Sequence, residues 1–375
     1  MAARGPLLYE RIIEYLLDEL RKGALNPGDR VPSEMELAER FEVSRITSKK
    51  ALEVLRQAGV VERIRGKGSF VAADLPDLDA LDLSPSRSAA AEGERVPGTI
   101  AMIYPDASEA YGLELLCAVE ERCAERGINL VIKRTRGSQE EEEKAIESMV
   151  DAGLAEGLIV FPVHGEYYNA GLLRTILDGF PLVLVDRYLA GIQVCAVHTD
   201  NVAAARALTE RVLDQGHRQV AFVSPPPENT SSIEERLEGF RAAFAGRGLS
   251  LDNARQLTGL SSTLPGAFTP DNVQADVERI RGFQAREPEV TAFVVCEYNL
   301  ARVMSRAVAQ TEPRPLIACF DSPLDPVAGP PFLHVRQNQR EMGRQAVDLL
   351  LAQMRGETVP PRSIVPFSIV EPETS

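Results

Sequence analysis

The sequence predicts a chain in two parts. A small α+β head of three helices and a two-stranded wing comes first, then a larger two-lobed α/β body built on parallel sheets. Three observations predict this. Residues 31–70 place two short amphipathic helices on either side of a tight turn and follow them with a glycine-rich hairpin. Residues 74–97, DLPDLDALDLSPSRSAAAEGERVP, are rich in Pro, Ser, Ala and Asp and have no sustained apolar period, which marks a linker. From Gly98 onward, short apolar runs alternate with amphipathic helical segments, the pattern of doubly wound parallel sheets. The expected boundaries are 1–73 for the head, 74–97 for the linker and 98–375 for the body.

The head can be justified residue by residue. Ser33 precedes Glu34-Met35-Glu36, so its hydroxyl can cap the free amides of a helix, with Glu36 completing a capping box. Leu37, Ala38 and Phe41 form one apolar face. Ser44 caps the next helix, which runs to Ala58 and stops at Gly59. Ala51, Leu52 and Leu55 of that helix face the small core. Arg45, Thr47, Ser48 and Lys49 are left on its exposed first turns, where a recognition helix presents side chains to base edges. In the hairpin, Gly66 and Gly68 allow a tight turn and close approach to a groove, and Arg65 and Lys67 attract phosphate. Helix, turn, helix and wing in that order make a winged helix-turn-helix, a DNA-reading unit. An ordinary charged helical hairpin would not also carry the caps, the turn and the wing in sequence.

Charge separates the two parts. Residues 1–73 hold 13 Lys+Arg against 11 Asp+Glu, a net of +2; the whole chain is -14, leaving -16 for the rest. Residues 42–73 hold 7 basic against 3 acidic residues, a net of +4. A local basic patch on an acidic chain fits specific DNA binding and argues against nonspecific coating of nucleic acid. The first helix carries Glu10, Glu14, Asp18 and Glu19, which excludes an apolar targeting core. No apolar run is long enough to span a bilayer, so no membrane partner is expected. Cys117, Cys123, Cys195, Cys296 and Cys319 form no CxxC pair, and the expectation is reduced thiols in a cytoplasmic protein. His164, His198, His217 and His334 show no metal-ligand spacing, so neither metal nor cofactor is expected. The run Glu140 to Glu143 opens a helix and reads as a solvated, dipole-favoured face.

In the body, strands are predicted at Thr99–Tyr104, Leu130–Ile132, Gly157–Phe161, Leu182–Val185, Gln219–Val223, Ala292–Val295 and Leu316–Phe320. Helices are predicted at Tyr111–Arg126 and Gln139–Asp151. Ligands of such sheets bind beyond the carboxyl ends of the strands. Polar residues sit there: Asp186-Arg187 after Val185, Glu297 after Cys296, Asp321 after Phe320, and Ser232 and Arg236 one helical turn apart after a Pro-rich loop. Tyr111 follows the first strand's loop, and His164 follows Phe161. Carboxylates accept from hydroxyls, a guanidinium donates to neighbouring oxygens and an aromatic ring covers the apolar face of a sugar. Any one of these residues could instead be a helix cap or loop ion pair. Asp186 and Asp321 at equivalent strand ends favour a site for a polyhydroxylated small molecule.

Two resemblances add to this reading. Residues 8–72 resemble the GntR family of bacterial regulators through Leu25-Asn26-Pro27-Gly28-Asp29, Val31-Pro32-Ser33-Glu34, Val43-Ser44-Arg45, Ala51-Leu52 and Gly66 to Val71. This resemblance implies DNA contacts from Arg45, Thr47, Lys49 and the wing glycines. Met35 stands where some relatives carry a polar or basic contact, so that contact is not carried over. Residues 98–370 look like the effector domain of the LacI/galactose-repressor family, which shares the periplasmic-binding-protein-like fold. The matching pieces are Pro181 to Arg187, Thr199-Asp200-Asn201, Gly216 to Val220, Ser232 to Arg236 with Gly239-Phe240, Cys319-Phe320-Asp321, Val335-Arg336-Gln337 and Gly343. The likeness implies effector contacts from Asp186, Ser232, Arg236 and Asp321, with Tyr111 on the first lobe. Together the two parts look like the arabinose-repressor group. The chain departs from the effector family at Glu297-Tyr298, where an Asn-Asp pair is frequent. Residues 74–97 also lack a minor-groove hinge helix, which leaves DNA reading to the winged unit.

The expected protein is therefore a homodimeric DNA-binding transcriptional regulator, a repressor, controlled by a sugar or polyol bound between two lobes. The first lobe is expected at about 98–198 plus 337–357, and the second at about 199–336 plus 358–372. Two other classes are an enzyme fused to a DNA-binding head and a sensor with a degenerate head. The first would need a cofactor lysine and a larger catalytic domain, neither of which is visible; Arg45, Thr47 and Lys49 argue against the second.

Overall fold

The structure is a computed structural model. It describes residues 8–41, 43, 45–64, 68–76, 78, 98–165, 169–250, 255–325, 327 and 329–372. The chain divides into two compact units, Met1–Arg95 and Val96–Ser375.

The head consists of α1 (Leu8–Arg21), α2 (Glu34–Phe41), α3 (Arg45–Gln57) and the antiparallel pair β1 (Val61–Ile64) and β2 (Gly68–Val71). The capping box is present: the Ser33 amide donates to Glu36 at 2.7 Å and the Glu36 amide donates to Ser33 Oγ at 3.3 Å. Leu37, Ala51 and Leu55 are fully buried against Ile12 and Leu16 of α1. The segment ahead of α2 adds an edge to the wing, with the Val31 amide donating to Ser69 O at 3.0 Å and the Val71 amide to Asp29 O at 2.8 Å. Leu75 and Leu78 pack against the head core, so its apolar contacts extend past the expected boundary at 73.

The body holds two six-stranded sheets. Its elements, in chain order, are β3 (Thr99–Tyr104), α4 (Leu113–Glu125), β4 (Asn129–Arg134), α5 (Gln139–Val150), β5 (Gly157–Val160), α6 (Ala170–Leu177), β6 (Leu182–Val185), β7 (Cys195–Thr199), α7 (Asn201–Asp214), β8 (Val220–Ser224), α8 (Ser231–Gly246), β9 (Gln256–Thr258), α9 (Pro270–Arg286), β10 (Ala292–Val295), α10 (Tyr298–Ala307), β11 (Leu316–Phe320), β12 (Leu333–Gln337), α11 (Gln339–Met354), β13 (Arg362–Val365) and β14 (Phe367–Val370). The first sheet runs β13-β7-β6-β5-β3-β4 and the second β14-β12-β11-β10-β8-β9, the same order twice. Both are parallel except for β14, which is antiparallel to β12. The central strands are buried on both faces, which is why they read as unbroken apolar runs.

The chain crosses between lobes three times, at Asp200, Asn338 and Pro366. At the first two crossings the side chain caps the next helix, accepting from the Ala203 and Glu341 amides. The helix entered at each of these crossings packs on its new lobe through a glycine contact: Gly239 brings α8 against α7, and Gly343 brings α11 against α4. The last crossing corrects one expectation. Residues 358–372 do not fall wholly in the second lobe, because β13 pairs with β7 of the first and only β14 reaches the second.

Glu142 is a second correction. Its neighbours Glu140 and Glu141 are exposed, but Glu142 is buried. It accepts from the Val163 amide and from Asn169 Nδ2, both at 2.9 Å, and so ties α5 to the loop after β5. Burial raises its carboxyl to about 7.

Candidate functional site

A cavity of about 300 Å³ lies where the two lobes face each other, beyond the carboxyl ends of both sheets. All eight candidate effector residues line it: Tyr111, His164, Asp186 and Arg187 from the first lobe, and Ser232, Arg236, Glu297 and Asp321 from the second. Each is held by the strand end or helix start that its sequence position implies.

On the first lobe, Tyr111 donates its hydroxyl to Asp186 Oδ1 and meets Phe161 edge-on. Burial first, and then the negative charge of Asp186, pushes the Tyr111 phenol well above its usual range, so it stays a donor. Arg187 Nε lies 3.3 Å from Asp186 Oδ2, its Nη1 donates to Pro162 O at 3.1 Å, and its guanidinium lies over the Phe161 ring. The Nε contact to Asp186 is an ion pair without the geometry of a hydrogen bond.

On the second lobe, Arg236 Nε donates to Asn201 Oδ1 at 2.9 Å and Nη1 donates to Cys296 O at 2.7 Å, with the guanidinium 3.9 Å from the Phe320 ring centre. Those bonds fix a planar donor fork at the cavity wall. Asp321 accepts from the Gln337 amide at 3.2 Å and from Gln337 Nε2 at 2.6 Å. Burial raises the Asp321 carboxyl to about 7, although Arg236 and Gln337 oppose the rise. Glu297 stands immediately before α10 but makes no side-chain cap bond. Its Oε1 is buried and has no hydrogen-bond partner. Burial raises this carboxyl too, to about 7.

His164 and its neighbours join the lobes. Its Nδ1 lies 3.2 Å from Thr230 Oγ1, which also accepts the Gly165 amide at 3.0 Å. Burial, reinforced by Arg187, pushes the imidazole down to about 4, so it is neutral near pH 7. Beside this contact the Tyr188 amide donates to Ser231 Oγ at 3.1 Å, and Tyr188 Oη donates to Glu235 at 2.5 Å. Ser231 and Glu235 therefore hold the first lobe, while Ser232 and Arg236, each one position further along α8, face the cavity.

Sequence reasoning missed Phe161, Thr263, Phe268 and Gln337, which also line the cavity. Phe161 was accessible as the last residue of a predicted strand, whereas Gln337 ends β12, which was not predicted. Thr263 and Phe268 lie on a long loop after β9, where no periodicity marks a direction.

In the head, Lys49 is exposed and Thr47 partly exposed on the first turns of α3. Gly68 opens β2 with a φ of 115°, a conformation suited to glycine. Ser44, Arg65, Gly66 and Lys67 lie outside the described residues, as does the side chain of Arg45. Ser48 corrects the sequence reading. It is fully buried, and its hydroxyl donates to Glu34 O at 2.5 Å, so it joins α3 to α2 and does not face DNA.

Among the described residues no helix is long and apolar enough to cross a membrane, and no cluster of His, Cys, Asp and Glu is arranged to hold a metal.

Comparison with known proteins gives two family matches. Residues 8–71 match the family described as bacterial regulatory proteins, gntR family, and residues 100–358 match the periplasmic binding protein domain. The arabinose metabolism transcriptional repressor of Halalkalibacterium halodurans is 24% identical over 359 residues, 93% of this chain and 90% of the repressor. The HTH-type transcriptional regulator PtxS of Pseudomonas plecoglossicida is 28% identical over 289 residues, 76% of this chain and 81% of PtxS. Among solved structures, the transcriptional regulator CelR in complex with cellobiose superposes with a TM-score of 0.62 at 20% identity, covering 92% of this chain and 100% of that one.

Proposed function

The chain belongs to the periplasmic binding protein domain family and is a transcriptional regulator with a gntR-type DNA-binding head, and from that premise we propose that it is a cytoplasmic, homodimeric repressor whose operator binding is set by a sugar or polyol held between the lobes. It performs no catalysis in this reading. The observation that carries the proposal is the interlobe cavity, where carboxylates, a fixed arginine fork and aromatic rings converge from the ends of both sheets. A polyhydroxylated ligand suits those groups: its hydroxyls donate to carboxylates, its oxygens accept from Arg236 and its apolar faces lie on rings. Two relatives are named as arabinose repressor and cellobiose-bound regulator, which supports the same ligand class.

Control follows from a population shift. A ligand that touches both lobes stabilises the arrangement in which they meet, and it can shift the equilibrium only by its difference in affinity for the two arrangements. Helix α8 is the natural relay, because Ser232 and Arg236 face the ligand space while Ser231 and Glu235 hold Tyr188 of the other lobe. In a dimer, a change in lobe angle changes the spacing of the two reading heads, which must match two half-sites on DNA. The residues assigned to DNA are Ser44, Arg45, Thr47, Lys49, Arg65, Gly66, Lys67 and Gly68. A thermal-shift screen of the full chain against pentoses, hexoses, disaccharides and linear polyols tests the proposal. It expects a saturable rise in melting temperature from at least one of them. A rise only from phosphorylated or non-sugar metabolites would overturn it.

A further inference from the structure

The charged groups around the cavity are unequally provided for. Asp186 accepts from Tyr111 and pairs with Arg187. Arg236 is bonded to Asn201 and Cys296. Asp321 has both oxygens occupied by Gln337. Glu297 is less provided for: it caps nothing, it is in no ion pair among the described residues, and Oε1 is buried without a partner, although Thr263, Arg236 and Arg187 favour its charged form. Four carboxylates line the cavity, Asp106, Asp186, Glu297 and Asp321, against two arginines, Arg187 and Arg236. Asp106 is paired with Arg134 outside the lining, and of the other three the one with the open oxygen is Glu297.

We propose that Glu297 selects a ligand carrying a protonated amine on a polyhydroxylated frame, an amino sugar or aminopolyol in class, with the ammonium group seated against Glu297 Oε1. The proposal rests on the polyol reading above and refines it. A hydroxyl could donate to Oε1 but would bring no positive charge to it. An ammonium group donates and neutralises together, and charge-assisted hydrogen bonds are about twice as strong as neutral ones. An acidic ligand would instead add a charge of the same sign as the excess, which a desolvated cleft penalises. Burial raises this carboxyl to about 7 even though Thr263, Arg236 and Arg187 oppose the rise. The frame would be held by the remaining groups, with Arg236 and Ser232 on its oxygens and Phe161 and Phe268 against its faces.

The test uses the full chain and titration calorimetry with matched triplets: glucose, glucosamine and gluconate, then galactose, galactosamine and galactonate. The proposal expects at least one amino member to bind roughly tenfold tighter or more than its neutral parent, a difference of about 1.4 kcal/mol. Glu297→Gln should bring the ratio of amine to neutral-parent affinity to about one, and Glu297→Asp should restore part of the preference. If neutral parents or acids bind as tightly as the amines, or if Glu297→Gln keeps the preference, the amine assignment falls and the polyol reading stands. If all six are silent while a phosphorylated or non-sugar metabolite binds, both fall.

Discussion

Asp186 and Asp321 are the same residue of two equivalent half-structures. Each follows the last residue of a parallel strand, β6 and β11, and each has a left-handed backbone, with φ of 68° and 59°. Each donates its amide to the next strand, Asp186 to Val197 O at 2.9 Å and Asp321 to Val335 O at 2.7 Å. The left-handed turn takes the chain off the sheet at the point where the lobes meet, and aspartate tolerates that region better than most residues.

This geometry separates ligand binding from folding. Asp186→Asn and Asp321→Asn should keep a melting temperature within a few degrees of the parent, since asparagine also accepts a positive φ. Both should lose most ligand affinity in calorimetry. Asp186→Val and Asp321→Val should melt clearly lower, because a β-branched residue is strained there. Equal stability of the Val and Asn forms would contradict the strain argument.

The glycine contacts give a prediction on the fold alone. A Cβ on Gly239 would stand 2.2 Å from Val202 O, and one on Gly343 would stand 2.8 Å from Leu115 O. Gly239→Ala and Gly343→Ala should each destabilise the body by about 1–3 kcal/mol in chemical denaturation, as overpacking does. A neutral effect would mean that the helix pairs are less tightly set than described.

Glu297 gives the pH dependence a definite sign. Its folded value of about 7 lies above the ordinary 4.5, so the native state keeps a proton that the unfolded chain releases between those values. Its contribution is fully present below about 4.5 and is lost as pH rises through about 7. Glu297→Gln removes this titration, whereas His164, Asp186, Arg187, Arg236 and Asp321 are the same in both proteins. The melting temperature of the variant minus that of the parent should therefore grow from about pH 4.5 to about pH 7 and stay level above. A difference that is constant with pH would contradict the assignment of the raised carboxyl.

Lys49 tests the head. It is exposed on the first turns of α3, the face that the proposed function sets against DNA. Lys49→Ala should weaken binding to DNA fragments selected from a random library and reduce the slope of log affinity against log salt by about one. Ser48→Ala should instead lower the melting temperature of the head, because it removes the bond to Glu34 O. An unchanged salt slope for Lys49→Ala would remove that residue from the interface.

The sequence displayed most of this because the informative positions are local. Ser33 and Glu36 form their capping box within four residues, and Asp186, Glu297 and Asp321 are found by where a buried strand ends. Ser48 and Glu142 were misread for a shared reason. Ser48 precedes Leu52 by four and Leu55 by seven; Glu142 precedes Ile146 by four and Met149 by seven. Each lies on the apolar stripe of its helix, so the period already pointed it inward, and polarity was given more weight than position. Gln337 ends β12, which the sequence reading did not identify as a strand, and its bond to Asp321 depends on how β12 registers with β11. Strands β7, β9, β12, β13 and β14 were not identified as strands; the pairing of β13 and β14 with different sheets is a long-range choice that no local pattern encodes.

The central claim is that a polyol in the interlobe cavity controls DNA binding. The most direct measurement is the affinity of the full chain for its selected DNA, with and without the polyol found by screening, compared between the parent protein and Arg236→Ala. The account predicts that the ligand changes the parent's affinity by roughly 5- to 150-fold, the usual range of allosteric coupling. It predicts that Arg236→Ala binds the ligand-free DNA as the parent does and no longer responds. An Arg236→Ala protein that folds, binds DNA and still responds fully to the ligand would contradict it.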